Sequence, residues 1–117
     1  MKETTGEQRH ESDLTTVLDC AFQHNVDKII IACGTLNEAR RGLELSRANP
    51  NLFFTVCVHP IRCKSEFGSM EGDNEEGNRK GWDEYLAKMR SLVEEGAVSR
   101  SAVAIGELGL DYARLEL

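Results

Sequence analysis

Apolar residues along this chain alternate between two spacings. Leu14, Val17, Leu18, Ala21 and Phe22 recur every three or four residues, which predicts one face of a helix. Ser12 or Asp13 stands where its N-cap belongs. Asn25-Val26-Asp27 ends that pattern, and Lys28-Ile29-Ile30-Ile31-Ala32-Cys33 follows. Three consecutive isoleucines predict a strand buried on both faces, as parallel sheets require. Gly34 closes the strand, and Thr35-Leu36-Asn37-Glu38 reads as a capping box that opens a second helix. Leu36, Ala39 and Leu43 mark its inner face, and it must stop before Asn49-Pro50, because the residue before proline is pushed out of helical geometry. Phe53 to Val58 predicts the next strand, cut off by His59-Pro60. Residues 63–81 are polar, rich in Gly, Glu and Asn, and without periodicity, which predicts a flexible surface loop. Trp82, Tyr85, Leu86, Met89, Leu92 and Val93 then give a strong helical face, with Gly96 placed as its C-terminal cap. Ala102 to Ile105 predicts a third, buried strand.

Helix, strand, helix, strand, helix, strand is the order of an α/β fold with a parallel sheet and right-handed crossovers. In such a sheet the C-terminal ends of the strands share one edge, so Gly34, His59 and Glu107, each just past a strand, are expected to meet there. The stretch Ala104-Ile105-Gly106-Glu107-Leu108-Gly109-Leu110-Asp111-Tyr112 turns from apolar to acidic at a single point. A carboxylate where a strand leaves the core needs an ion, a cationic side chain or hydrogen-bond donors. Read alone, Glu107 fits that role and that of a surface glutamate beside a lysine about equally. His59 in a His-Pro turn, read alone, is more often structural than a ligand. Together, a histidine and a carboxylate at neighbouring strand exits suit metal-assisted hydrolysis, since imidazole nitrogen and carboxylate oxygen both bind divalent ions.

Composition narrows the classes further. With 117 residues, 29% charged and 40% hydrophobic, the chain has a globular balance and room for at most one domain. Residues 1–11 read as a polar tail and 12–117 as the folded part. A net charge of −6 argues against a broad basic clamp on a phosphate backbone, though not against a nucleic acid held through divalent metal. No apolar run approaches the ~20 residues of a membrane span, and no signal-peptide core is present. Cys20, Cys33, Cys57 and Cys63 include no C-x-x-C pair, which argues against a zinc knuckle. Cys33 and Cys57 read as small buried residues, and a reducing, intracellular location, cytoplasmic or nuclear, is the expectation.

Val56-Cys57-Val58-His59-Pro60, followed by Ala104-Ile105-Gly106-Glu107-Leu108-Gly109-Leu110-Asp111-Tyr112, resembles the TatD family of metal-dependent deoxyribonucleases. The second segment is the more specific. The strand and capped helix at residues 28–48 resemble the family's second β/α unit, and Arg9 to Leu14 the lead-in to its first helix. The resemblance implies a partial TIM-type (β/α)8 barrel whose complete form hydrolyses DNA phosphodiesters, typically as a 3'-5' exonuclease. The complete site would hold two divalent metal ions (Mg, Mn or Zn). On the same resemblance, Glu107 is a metal ligand shared by the two ions, His59 faces the substrate side of the site, and Asp111 is a supporting catalytic residue.

The family's first-strand ligands, its two later histidines and its later aspartate have no counterpart here, and His10 and His24 lie where neither can replace them. Only strands two to four of the barrel are expected, so the chain reads as a truncated form of such an enzyme. DNA is the expected substrate of the complete enzyme, and no membrane association is expected. Two alternatives stay open: a related metal-dependent amide or ester hydrolase, and a non-catalytic truncated product.

Overall fold

A computed structural model of the chain describes residues 12–67 and 75–113, with residues 75–80 described as backbone. The elements in order are α1 (Leu14–Gln23), β1 (Ile29–Ile31), α2 (Leu36–Ala48), β2 (Leu52–Val56), a 3-10 turn (Pro60–Arg62), α3 (Cys63–Phe67), α4 (Glu75–Val98) and β3 (Ala102–Ile105). The strands form one parallel sheet in the order β1-β2-β3. Ile30 pairs with Phe53 between β1 and β2. Phe54 pairs with Ala102 and Thr55 with Ala104 between β2 and β3, so Val103 is an extra residue in β3. A bulge of this kind bends the strand and increases its twist.

Helix α2 forms as its sequence dictates. Thr35 Oγ1 accepts from the Glu38 N–H at 3.2 Å, and Asn49 leaves the helix in an extended conformation ahead of Pro50. The Glu38 carboxylate reaches one residue further back than in a standard capping box and accepts from the Gly34 N–H at 2.6 Å. Helices α2 and α4 pack over one face of the sheet. Their shared core joins Cys33, Leu36, Ala39, Leu43, Phe54, Val56 and Leu92, with Ile31, Tyr85, Met89, Val93 and Ala102 at its margin. Contact is close enough to select glycine twice. A Cβ at Gly42 would lie 2.8 Å from Phe54 Cβ, and one at Gly96 would overlap Ala102 Cβ.

Four expectations are corrected. Residues 63–81 are not a plain loop: 63–67 form α3 and α4 begins at Glu75, while 68–74 lie outside the described residues. Helix α3 is polar because it is covered on one side only, with Lys64 and Ser65 exposed. Phe67 packs edge-on against Trp82 and Tyr85, with ring centroids 6.5 and 4.8 Å away. Gly96 is not the cap of α4, which continues to Val98; Arg100 takes the left-handed conformation (φ 57), and the Ser101 N–H returns to Gly96 O at 2.8 Å. Gly96 is there for packing. The strands β1 and β3 are not buried on both faces: Ile30 is 60% exposed, Val103 46% and Ile105 65%. Among the described residues the helices cover a single face of the sheet, which leaves these side chains without a cover. Finally, α1 buries none of its residues, although its apolar spacing is helical as expected. Asp13 holds its N-cap position without a side-chain hydrogen bond.

No helix among the described residues is long and apolar enough to cross a membrane.

Candidate functional site

Because all three strands are parallel, their C-terminal ends open onto one edge, and the backbone stays stitched together beyond them. The Cys33 N–H donates to Thr55 Oγ1 at 3.0 Å, the His59 N–H to Gly34 O at 2.9 Å, and the Gly106 N–H to Val56 O at 3.3 Å. These bonds fix Gly34, His59 and Gly106-Glu107 beside one another. Gly106 (φ 153) and Gly109 (φ 146) adopt conformations that residues with a side chain rarely take, which lets the chain turn sharply on both sides of Glu107.

His59 and Glu107 meet. His59 Nε2 lies 3.4 Å from Glu107 Oε2, with the histidine side chain 30% and the glutamate 65% exposed. The other ring nitrogen is committed: Nδ1 accepts from the Ile61 N–H at 3.2 Å, so that His59 caps the 3-10 turn. An acceptor Nδ1 in a neutral imidazole places the proton on Nε2, facing the carboxylate. In this tautomer His59 is a donor. Its Nε2 approaches one oxygen of Glu107, whose side chain is 65% exposed. Asp111 is half-buried, and its Oδ1 accepts from the Ala113 N–H at 3.0 Å, closing a local turn just after the glycine-rich stretch.

The cysteines at this edge are packing groups. Cys57 Sγ donates to Cys33 O at 2.9 Å, and both side chains are buried. Burial is the main cause that pushes the Cys57 thiol up; the Glu107 and Glu38 carboxylates add to it, against a lowering hydrogen bond from the Glu107 backbone. Burial likewise raises Cys33, partly offset by its backbone bond to Thr55. A thiol held protonated is a poor nucleophile, so thiol catalysis is not what this edge is built for.

Two contributors were not visible as site residues in the sequence. Glu38 was read as a helix cap, yet its carboxylate holds Gly34, whose carbonyl holds His59. Tyr85 was read as an apolar contact. Its hydroxyl accepts from the Leu36 N–H at 3.0 Å and donates to Glu66 Oε2 at 2.5 Å, tying α4 to the start of α2 and to the segment after His59. The capping-box spacing was a signal for the first. Nothing in the sequence marked the second.

Among the described residues no group of three or more His, Cys, Asp or Glu is arranged to hold a metal ion. Glu107 can supply carboxylate oxygens, but a stable divalent site needs several ligands at fixed geometry. The described residues therefore do not make up a metal centre by themselves.

The family model described as TatD related DNase matches residues 5–116. A relative named Deoxyribonuclease Tat-D, from Schizosaccharomyces pombe, is 29% identical over 107 residues, covering 92% of this chain and 31% of the relative. The chain thus spans about a third of the length of the curated relative it matches. With a family match over nearly its whole length, a parallel β/α sheet and the His59–Glu107 pair at the strand exits, the chain belongs to the TatD family of related deoxyribonucleases.

Proposed function

We propose that this chain forms part of a metal-dependent DNA hydrolase of the TatD type, a 3'-5' exonuclease in which Glu107 is the carboxylate that this segment offers to a divalent ion. The observation that carries the reading is the 3.4 Å approach of His59 Nε2 to Glu107 Oε2 at the edge where β2 and β3 end. A carboxylate fixed by a donor on one oxygen presents its other lone pairs in a defined direction, as carboxylate ligands commonly do. His59 acts by holding that direction, and its exposed imidazole edge is also placed to face an anionic substrate. Asp111 acts by closing the turn that follows Glu107. The remaining ligands come from outside the described residues, and the isolated chain is inactive.

The test is release of label from DNA tagged at its 3' or its 5' end, with and without EDTA. The 117-residue chain is expected to show no chelator-sensitive cleavage. Grafted in place of the matching segment of the Schizosaccharomyces pombe relative, the chain should support cleavage that begins at the 3' end. Glu107→Gln in that graft keeps the shape, removes the charge and should cost several orders of magnitude in rate. Chelator-sensitive cleavage by the 117-residue chain, or full activity of the Glu107→Gln graft, would overturn the assignment.

A further inference from the structure

Glu38 makes two different bonds at the start of α2. Its N–H donates to Thr35 Oγ1 at 3.2 Å, which caps the helix. Its carboxylate turns back past the cap and accepts from the Gly34 N–H at 2.6 Å. The first bond serves the helix, whereas the second serves a residue that lies outside it. Hydrogen bonds to a charged acceptor are shorter and stronger than those between neutral groups.

Gly34 is a place where such a bond matters. Its carbonyl accepts from the His59 N–H at 2.9 Å. A Cβ added at Gly34 would lie 3.1 Å from His59 Cβ and 3.4 Å from Glu38 Oε2, so the three residues are close-packed. Glycine has the widest backbone freedom of any residue, and a carbonyl on Gly34 keeps one direction only when something outside the residue holds it. His59 is held on its far side by the turn that follows, where Nδ1 accepts from the Ile61 N–H at 3.2 Å and the His59 carbonyl from the Arg62 N–H at 2.8 Å. Between these two anchors the ring carries Nε2 to 3.4 Å from Glu107 Oε2. The contacts run without a break from Glu38 through Gly34 and His59 to Glu107.

We propose that Glu38 is a positioning residue for the reaction at Glu107: it pins Gly34, and through Gly34 the backbone of His59, so that the imidazole meets the Glu107 carboxylate in one arrangement. This rests on the reading of Glu107 as the carboxylate offered to a divalent ion. Glu38 acts through its neighbours and takes no part in the chemistry. A cap alone has a different signature, because its loss weakens the helix without misaligning residues on another strand.

The test is amide hydrogen exchange by NMR on the 117-residue chain. The His59 amide is measured against that of Phe54, which donates to Ser101 O at 2.9 Å and reports opening of the sheet. Glu38→Ala should lower His59 protection about fivefold relative to Phe54, the worth of one exposed hydrogen bond. Glu38→Gln keeps an acceptor at the same reach and should restore it. Thr35→Ala removes the cap and leaves the Glu38–Gly34 bond, so it should speed exchange of the Glu38 amide and spare His59. In the graft into the Schizosaccharomyces pombe relative, Glu38→Ala should lower kcat about tenfold with KM unchanged. Glu38→Gln should recover that rate, and Thr35→Ala should lower the melting temperature with kcat at the parent value. His59 protection that Glu38→Ala does not alter, a kcat that survives Glu38→Ala in a graft that Glu107→Gln inactivates, or equal losses from Thr35→Ala would overturn the proposal. A graft left fully active by Glu107→Gln would overturn the reading on which it rests, and the proposal with it.

Discussion

Gly81 and Gly96 stand in the same helix and answer to different forces. A Cβ at Gly81 would meet nothing within 4 Å, whereas one at Gly96 would overlap Ala102 Cβ and come within 2.9 Å of Phe54 Cζ. Replacing glycine by alanine in an exposed helix interior stabilises by about 0.5–1 kcal/mol, while forcing a methyl into a packed contact costs about 1–3 kcal/mol. Gly81→Ala should therefore raise the urea midpoint and Gly96→Ala should lower it, although the substitution and the helix are the same. Tyr85 gives a pH dependence. Burial, then its hydrogen bond to Glu66, pushes its hydroxyl up from 10.0 to about 12. The folded state thus holds a proton that the unfolded chain releases. This stabilisation is fully present below pH 10.0, the unfolded value, and is lost as pH rises toward about 12. Urea melts between pH 8 and 11 should show the decline in the parent chain, and Tyr85→Phe should flatten it.

Between elements, cover is distributed unevenly. The central strand β2 is bonded on both sides and carries Leu52, Phe54 and Val56, all buried, with Cys57 and Val58 buried just beyond it. Helix α1 buries nothing. Local stability follows buried contact, so amide hydrogen exchange should be slowest in β2 and fastest in α1, even though the backbone bonds of α1 are regular. Comparable protection in α1 and β2 would contradict this distribution. The Tyr85 hydroxyl explains how α3, only five residues long, holds its place. It rests on Glu66 bonded to Tyr85 and on Phe67 packed against Trp82 and Tyr85.

For the molecule as a whole, the limiting feature is a sheet with two outer strands and one covered face. Among the described residues β1 and β3 each pair on one side only, and Ile30, Val103 and Ile105 present apolar surface. Unpaired strand edges beside exposed apolar residues promote pairing between chains. The isolated 117-residue chain should show concentration-dependent association in light scattering. Val103→Lys with Ile105→Lys should suppress it by placing charge on the outer strand. A monomer that melts sharply and reversibly at high concentration would contradict this reading.

Apart from the 3-10 turn and α3, the element order and the parallel α/β class were legible in the sequence, because both rest on local patterning. Helix period, capping at Thr35, the break at Asn49-Pro50 and the apolar runs are all short-range signals. The meeting of His59 with Glu107 followed from topology, since parallel strands bring their C-terminal ends together. Burial was not legible. Three isoleucines in a row reveal hydrophobicity but not which face has a partner, and Ile30 is left exposed because cover depends on elements distant in sequence. The polar stretch at 63–81 concealed α3, since a short helix covered on one side carries little apolar signal. Gly96 looked like a cap, and only the approach of Ala102 and Phe54 reveals that its lack of a side chain serves packing. The tautomer of His59 was likewise decided by the fold. It depends on which backbone N–H reaches Nδ1, and the turn at Ile61 settles that.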